Sequence, residues 1–202
     1  GVNHLEGHAL SPKLHSEIEY PCLLLLISGG HSQYLSVNGL GKYKRLGTTI
    51  DDALGEAFDK TAKILGIKFP GGPMIEVYAE KGDPQTYNLP KPILNRSGCN
   101  LSFAGLKTAV LNLSKKIKTK KDKYNLASSF QNTINEILKV KCKKAFDMFL
   151  NDHKNLKNFN FIVSGGVASN QSIRKNLKKI SLETKFNIDF PPVGLCTDNA
   201  AM

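Results

Sequence analysis

The cysteines of this chain form no closely spaced pair. The four of them, Cys22, Cys99, Cys142 and Cys196, are scattered along the sequence, and none stands in a Cys-x-x-Cys motif. Zinc ribbons and dithiol redox sites need that spacing, so neither class is indicated. Isolated thiols of this kind are typical of a reducing cytosol.

Long hydrophobic segments are missing as well. The longest strongly apolar run, 22–27, is far too short to cross a bilayer, so we expect no membrane partner. No signal peptide is visible, and the first residue is Gly1 rather than Met. We expect the chain to be a fragment of a longer protein, and missing N-terminal sequence would hide such a signal.

Acidic residues are in short supply. Lys and Arg number 28 against 17 Asp and Glu, which gives a formal net charge of +11. A basic excess of this size favours polyanions such as RNA, because phosphate contacts release counterions. The alternative is a lysine-rich proteome, and composition leaves the two near even. Six lysines fall within 115–123, which we interpret as a solvated loop and a candidate RNA contact.

The hydrophobic pattern predicts a mixed α/β chain. We expect a hairpin turn at Asn38-Gly39 and an irregular stretch over 82–100. Strands are predicted at 22–27, 33–37, 43–48, 159–163 and 186–190. Helices are predicted at 4–14, 74–81, 103–116 and 124–150, with two more that start at Asp51 or Asp52 and end near 65, and start at Asn170 and end near 180.

Two predicted strands run into the same tripeptide, Ser-Gly-Gly. The first is followed by Ser28-Gly29-Gly30-His31 and the second by Ser164-Gly165-Gly166. Glycine lets the backbone approach a ligand closely, and successive amides in such a turn can bind an anion. Two phosphate or nucleotide contacts are therefore one interpretation, and two ordinary tight turns are the other.

Two histidines stand four residues apart at the start of the chain. His4 and His8 would lie on one face of a helix and could bind a single metal ion, with Asp198 as a carboxylate ligand. The alternative is a pair of surface histidines. A zinc-peptidase site is excluded, because its glutamate directly follows the first histidine and Leu5 occupies that place here.

Four further residues are candidate ligand contacts. Asp59 could accept hydrogen bonds from ribose hydroxyls or an amine, or could form a surface salt bridge. Gly72 could bring backbone close to a ligand, or merely turn the chain, and Glu76 is a weaker candidate. Asn170 could bind a nucleoside, or could simply cap its helix.

Seven motifs occur in a familiar order. They are NHLEGHA at 3–9, ISGGH at 27–31, DDALGEAFDK at 51–60, PGGP at 70–73, SFAGLKT at 102–108, VSGGVA at 163–168 with Asn170, and CTDN at 196–199. In these motifs the chain resembles the tRNA N6-adenosine threonylcarbamoyltransferase family along its whole length. His31 and the first motif look like the bacterial and mitochondrial branch.

The resemblance implies an actin-like, sugar-kinase-like ATPase fold of the ribonuclease H-like type, with two α/β lobes that are incomplete here. It implies transfer of a threonylcarbamoyl group from threonylcarbamoyl-AMP to N6 of the adenosine beside the anticodon, in tRNAs that read codons beginning with adenine. It gives iron(II) or zinc as cofactor, on His4, His8 and Asp198. Its substrate-binding positions are Ile27, Ser28, Gly29, Gly30, His31, Asp59, Gly72, Glu76 and Asn170, and no catalytic base is assigned.

The same resemblance implies an organisation and a set of partners. Residues 1–20 would end the first lobe, 21–190 would form the second lobe with a helical insertion, and 191–202 would return to the first. The partners would be tRNA and bacterial TsaB- and TsaE-type proteins in the cytoplasm, or a second copy in the mitochondrial matrix. The alternatives are a carbamoyltransferase with another acceptor and a non-catalytic scaffold paralogue, which would lack the paired histidines.

Overall fold

A single five-stranded sheet forms the centre of the protein. The computed structural model describes residues 6–8 and 16–196. The strands lie in the order β3-β2-β1-β4-β5, with β1 pairing antiparallel to β2, β2 antiparallel to β3, and β1, β4 and β5 parallel. They are β1 Cys22–Ile27, β2 Ser32–Gly39, β3 Lys42–Thr48, β4 Phe159–Ser164 and β5 Phe186–Asp189.

Strand β1 is central because both of its faces are apolar. All six of its residues are fully buried, as its continuous hydrophobic run predicts. Leu23, Leu25 and Ile27 join the large core under the helices, whereas Leu24 and Leu26 belong to a smaller cluster on the other face. The predicted strand positions are confirmed for all five strands.

The helices follow the predicted order. They are α1 Leu54–Ile64, α2 Gly71–Ala79, α3 Ala104–Ser114, α4 Lys120–Asp152 and α5 Gln171–Leu182, with short 3-10 helices at Gly166–Ser169 and Val193–Leu195. Residues 6–8 are helical, and the rest of the helix predicted at 4–14 lies outside the described residues. None of the helices that the model describes is both long enough and apolar enough to span a membrane.

Helix α4 supports both halves of the fold. Near its start, the Phe130 ring meets Phe58 of α1 edge to face at 5.2 Å. Near its end, Phe146 stacks on Phe186 of β5 at 4.1 Å and meets Phe161 of β4 at 5.0 Å. Aromatic pairs in these geometries add to the free energy gained by burying their area. One 33-residue helix thus fixes α1 relative to the sheet.

The predicted hairpin turn is wrong by two residues. Gly39 is still paired, with Lys42, so the two-residue turn is Leu40-Gly41. A register irregularity between Val37 and Gly39 shifts the ladder past Asn38, and Gly41 takes the left-handed conformation at φ +67°. The local Asn-Gly signal was overridden because the strand pairing continues through it.

The prediction that Asp51 or Asp52 caps α1 is also wrong. Ala53 occupies that position, and Asp51 accepts hydrogen bonds from the backbone N–H of Phe103 at 2.8 Å and Ala104 at 3.3 Å. Asp51 therefore caps α3, which follows some fifty residues later in sequence. Asp52 binds Lys107 of α3 and Lys60 of α1, and these ion pairs lower the pKa of its carboxyl.

Two helices begin earlier than their sequences suggested. Helix α2 starts at Gly71 rather than Met74, because Pro73 lies in the first turn, where backbone N–H groups have no helical partner to lose. Helix α4 starts at Lys120, inside the segment predicted as a loop. Thr119 Oγ1 accepts from the N–H of Asp122 at 3.1 Å, and the Asp122 carboxylate accepts from the N–H of Thr119 at 2.9 Å.

Removal of the Asp51 carboxylate should loosen the junction between α1 and α3. We expect Asp51→Ala to lower the free energy of unfolding by about 1–2 kcal/mol, the usual value of a lost helix cap. Asp51→Asn keeps one acceptor oxygen and should lose less. Urea unfolding followed by circular dichroism measures both, and an Ala variant as stable as the wild type would contradict the assignment.

Candidate functional site

The two Ser-Gly-Gly turns lie side by side. Strands β1 and β4 are parallel neighbours, with Leu26 paired to Ser164, so their carboxyl ends reach the same edge of the sheet. A Cβ at Gly165 would lie 2.4 Å from the carbonyl oxygen of Ile27, and Gly165 has φ +95°. Only glycine fits there, because both the space and the backbone conformation exclude a side chain.

The first turn is closed by its own hydrogen bonds. The N–H of Ser28 donates to the carbonyl of His31 at 2.7 Å, and the N–H of His31 donates to Ser28 Oγ at 3.1 Å. A Cβ on Gly29 or Gly30 would meet nothing within 4 Å, so both glycines face open space. A ligand can therefore approach the backbone at both glycines, and amides in a turn of this kind can bind an anion.

Helix α1 is attached directly to this turn. The N–H of Gly55 donates to the carbonyl of Ser28 at 3.1 Å, and the N–H of Leu54 donates to Ser32 Oγ at 2.8 Å. A Cβ at Gly55 would lie 2.7 Å from the Ser28 carbonyl oxygen. The close approach fixes the start of α1 and therefore the position of Asp59, one turn further along.

Asp59 and the Gly71-Gly72 pair come together in the structure. A Cβ at Gly71 would lie 2.5 Å from Asp59 Oδ1 and 3.0 Å from Ala62 Cβ, so the start of α2 packs directly on α1. Gly72 has more room, since its nearest neighbour in the same test is Phe58 Cβ at 4.0 Å. The candidate Asp59 thus lies against Gly71, the chain neighbour of the candidate Gly72.

Glu76 and Asn170 both accept hydrogen bonds from backbone N–H groups in the first turn of α5. Glu76 Oε1 accepts from the backbone N–H of Ser172 at 2.8 Å, which joins α2 to the first turn of α5. Burial raises the pKa of the Glu76 carboxyl above its usual value, although the N–H groups of Ser172 and Gln171 oppose that shift. Asn170 caps α5 by accepting from the N–H of Ile173 at 2.9 Å.

Sequence reasoning missed Gln131 of α4. Its Oε1 accepts from Asn170 Nδ2 at 2.9 Å, so the Asn170 amide is held at both ends. Gln131 is 4% exposed, and among the described residues its Nε2 has no hydrogen-bond partner. It lines a cavity of about 380 Å³ between α2, α4 and α5, together with Glu76, Ser128, Asn132, Asn135, Ser172 and Lys175.

A sequence signal for these residues did exist. Ser128, Gln131, Asn132 and Asn135 are spaced as i, i+3, i+4 and i+7, which makes a polar stripe along a helix whose other inward positions are apolar. Polar side chains that line a cavity beside Glu76 and Asn170 provide both donors and acceptors. Such a set suits a polar heterocycle or a sugar better than an apolar ligand.

Three of the four cysteines have raised pKa values. All four are free and buried. Burial raises the pKa of Cys142 to about 12 and that of Cys99 to about 11, and it also raises the pKa of Cys196. The thiols of these three residues therefore stay protonated near neutral pH, and no nucleophilic role is indicated for them.

The predicted metal ligands lie largely outside the described residues, which include His8 but neither His4 nor Asp198. His8 is buried, and the neighbouring Glu6 accepts a hydrogen bond from the Tyr43 hydroxyl at 3.1 Å. At the other end, the carbonyl oxygen of Cys196 lies 3.8 Å from where a Gly166 Cβ would be. Residues 6–8 and 16–196 contain no cluster of three metal-ligating side chains, so the triad stays a prediction.

Comparison with known proteins identifies the family. A family model described as TsaD, tRNA N6-adenosine threonylcarbamoyltransferase, matches residues 1–202. The chain belongs to this family. It is 68% identical over 201 residues to a protein of that name from Pelagibacter ubique (strain HTCC1062), and 51% identical over 203 residues to one from Rickettsia rickettsii (strain Sheila Smith). All of the chain is covered in both cases, but it spans only 56% and 59% of those relatives.

Solved structures support the TsaD-family fold. The chain resembles full-length HypF, in its phosphate- and nucleotide-bound form, with a TM-score of 0.68 at 11% identity, over 98% of this chain and 34% of HypF. It also resembles the activator of 2-hydroxyisocaproyl-CoA dehydratase from Clostridium difficile, with a TM-score of 0.50 at 16% identity, over 99% of this chain and 65% of the activator. The predicted α/β, actin-like fold is confirmed, whereas the lobe boundaries at 1–20, 21–190 and 191–202 stay predictions.

The two neighbouring glycines of α2 should respond differently to a methyl group. We expect Gly71→Ala to lower the free energy of unfolding by about 1–3 kcal/mol, because the new Cβ overlaps Asp59 and Ala62. Gly72→Ala has room, so its stability should stay within about 1 kcal/mol of the wild type. Urea unfolding of the two variants checks this, and equal stabilities would contradict the close contact between α1 and α2.

The raised pKa of Glu76 predicts a pH dependence of stability. The folded protein holds the Glu76 proton more tightly than the unfolded chain, so its contribution to stability is lost as pH rises. Relative to the wild type, Glu76→Gln should gain stability from about pH 4 to pH 7. Glu183 gives the opposite control, because Lys143 lowers its pKa. The wild type should lose stability relative to Glu183→Gln as pH falls below about 4.3, and the difference between the two should stay constant from about pH 5 to pH 7. Thermal unfolding across pH measures both trends.

Proposed function

We propose that the protein transfers the threonylcarbamoyl group of threonylcarbamoyl-AMP to N6 of the adenosine adjacent to the anticodon, in tRNAs that read codons beginning with adenine. The match of the TsaD family model to the whole chain is the observation that carries this proposal. The names of the relatives from Pelagibacter ubique and Rickettsia rickettsii agree with it.

The geometry of the site suits an adenylate donor. The amides of Gly29 and Gly30 would bind its phosphate, since both glycines face open space beside the second glycine turn. Asp59 and Glu76 offer carboxylate oxygens to ribose hydroxyls, and Gly72 lets the backbone approach the sugar closely. Asn170, held by Gln131, orients the adenine. His31 closes the first turn through hydrogen bonds with Ser28, and Ile27 is the buried last residue of β1, directly before the turn.

The reaction depends mainly on how the donor and the acceptor amine are positioned. In the donor, the carbamoyl carbon is bonded to a phosphate oxygen of AMP, a mixed anhydride that is already activated. The N6 amine of the tRNA adenosine attacks that carbon, the bond to the phosphate oxygen breaks, and AMP leaves. The amine loses a proton in this step, and we assign no side chain as its acceptor. Fixing donor and acceptor and stabilising the charge on the leaving phosphate supply the rate enhancement.

We assign the divalent metal, iron(II) or zinc, to His4, His8 and Asp198. Two imidazoles and one carboxylate are a donor set that suits either ion. The burial of His8 fits a ligand, since a neutral imidazole is less costly to bury than a charged one. When bound, the metal would polarise an oxygen of the donor.

The proposed partners follow the bacterial branch. They are tRNA and proteins of the TsaB and TsaE type in the cytoplasm, or a second copy of the chain if the protein is mitochondrial. The net charge of +11 agrees with an RNA substrate.

Loss of the gene should remove threonylcarbamoyladenosine from tRNA, as measured by mass spectrometry of digested nucleosides. The wild-type gene should restore it. We expect Asp59→Asn and Gly72→Ala to lower kcat/KM for the donor about tenfold or more, a loss of about 1.4 kcal/mol of transition-state binding.

Asp152→Asn is the matched control, because that carboxylate pairs with Lys44 on the surface and should leave activity unchanged. Unaltered tRNA in the deletion strain would refute the proposal, and carbamoylation of another acceptor would replace it with the alternative activity.

A further inference from the structure

Nine lysines gather at one end of the helical layer. The ends of α1, α2 and α3 lie there, beside the start of α4. One cavity is lined by residues from three of these helix ends, namely Ile64 and Gly66 at the end of α1, Ser114 of α3 and Lys123 of α4. The end of α2 joins them, since Lys121 Nζ donates to the carbonyl of Lys81 at 3.4 Å. We call this surface the basic end, and it consists of Lys63, Lys68, Lys81, Lys115, Lys116, Lys118, Lys120, Lys121 and Lys123.

Acidic side chains do not neutralise the basic end. The segments that form it contain three acids, Glu80, Asp83 and Asp122. The Asp122 carboxylate accepts from the backbone N–H groups of Lys118 and Thr119, and Asp83 accepts from the N–H of Gln85. In the part of the chain that the structure describes, none of the nine lysines forms an ion pair, whereas lysines elsewhere pair with Asp52, Glu136 and Glu183.

The helix dipole does not favour these lysines. Lys120, Lys121 and Lys123 lie in the first turns of α4, at the positive end of the helix dipole, where cations are disfavoured. Lys118 lies just before the cap and adds to the same local charge. Lys120 also lies over the Tyr124 ring, 5.8 Å from its centroid, and Lys121 Nζ donates to the carbonyl of Lys81, so two of these lysines have local contacts as well.

An exposed aromatic ring borders the basic end. Phe69 is 87% exposed and directly follows Lys68. The next residues, Pro70 and Gly71, lead to the contact with Asp59 in the candidate site. Proteins that bind single-stranded nucleic acid combine basic side chains for phosphates with aromatic rings on which unpaired bases stack.

We propose that the basic end and Phe69 form the RNA-binding surface of the protein, with lysines on phosphates and Phe69 against an unpaired base. This inference rests on the proposed function, since it assigns the surface that receives the tRNA. An RNA is favoured over an anionic membrane or an acidic protein because an exposed aromatic ring directly follows Lys68, and the same segment leads to Gly71, which packs on Asp59. A single-stranded part of the tRNA that runs along the basic end toward Phe69 would bring a neighbouring base to Asp59 and Gly72.

The first test neutralises lysines without disturbing the Thr119–Asp122 cap. The variant combines Lys118→Gln, Lys120→Gln, Lys121→Gln and Lys123→Gln in the full-length protein. The control, with the same change in net charge, combines Lys154→Gln, Lys157→Gln, Lys179→Gln and Lys185→Gln, all at exposed positions elsewhere. Binding to unmodified tRNA is measured between 50 and 200 mM KCl.

We expect the first variant to bind tRNA at least about tenfold more weakly at 100 mM KCl. Its slope of log affinity against log salt should be smaller by roughly 0.7–0.9 for each phosphate that the variant no longer neutralises. Its melting temperature should be equal or higher, because cations leave the positive end of α4. The control should bind within about twofold of the wild type.

The second test separates stacking from charge. Phe69→Ala should weaken tRNA binding about fivefold or more while leaving the salt slope unchanged, because a base contact releases no counterions. Leu182→Ala is its control, since Leu182 is 88% exposed at the end of α5.

The outcomes distinguish the surface from the function. If the wild type modifies tRNA and all variants bind it equally well, the surface is wrongly assigned and the proposed function stands. If the wild type neither binds nor modifies tRNA, the proposed function fails. Binding to phosphatidylserine vesicles is measured for the same variants. If the lysine variant lost vesicle binding that the wild type shows, while its tRNA binding stayed unchanged, the surface would be assigned to a membrane instead of RNA.

Discussion

The parallel pairing of β1 with β4 is the contact on which the site depends. It brings together two strand ends that are almost 140 residues apart in sequence, and Gly165 lets the second turn lie against the carbonyl of Ile27. A side chain at that position would separate the two turns. Helix α1 is then bonded to the first turn through Gly55, and the 3-10 helix that leads to Asn170 continues from the second.

The outer wall of the site is assembled from helices rather than strands. Helix α2 contacts α1 through Gly71 and Asp59, and it contacts α5 through Glu76 and the N–H of Ser172. Helix α4 supplies Gln131 beneath them, and its aromatic contacts join this wall to the sheet. The polar groups buried here cost free energy unless they are paired. Burial raises the pKa of Glu76, which still accepts from the N–H of Ser172, and the Nε2 of Gln131 has no hydrogen-bond partner in the described part of the chain.

Several features could be predicted from local sequence. Strand β1 was identified by its uninterrupted apolar run, and α5 by its Asn170 cap, because both signals act within a few residues. Predictions from local sequence failed where a side chain forms its hydrogen bonds with a distant segment instead of with its own neighbours. Asp51 resembles a cap for the helix that follows it, but its carboxylate binds the backbone of Phe103. In the sequence, Gln131 is one polar residue among many on a long helix. Its role in the site becomes visible only from its hydrogen bond with Asn170.

The sequence by itself determined the α/β class, the order of the elements, the family and most of the candidate ligand contacts, because periodicity and short motifs are local properties of the chain. Only the tertiary structure decided that both glycine turns share one edge, that Asp59 meets Gly71, and that lysines from four helix ends form one surface. Those facts depend on strand register and helix packing between segments far apart in sequence. Such contacts are selected by the free energy of the whole fold, and no single segment encodes them.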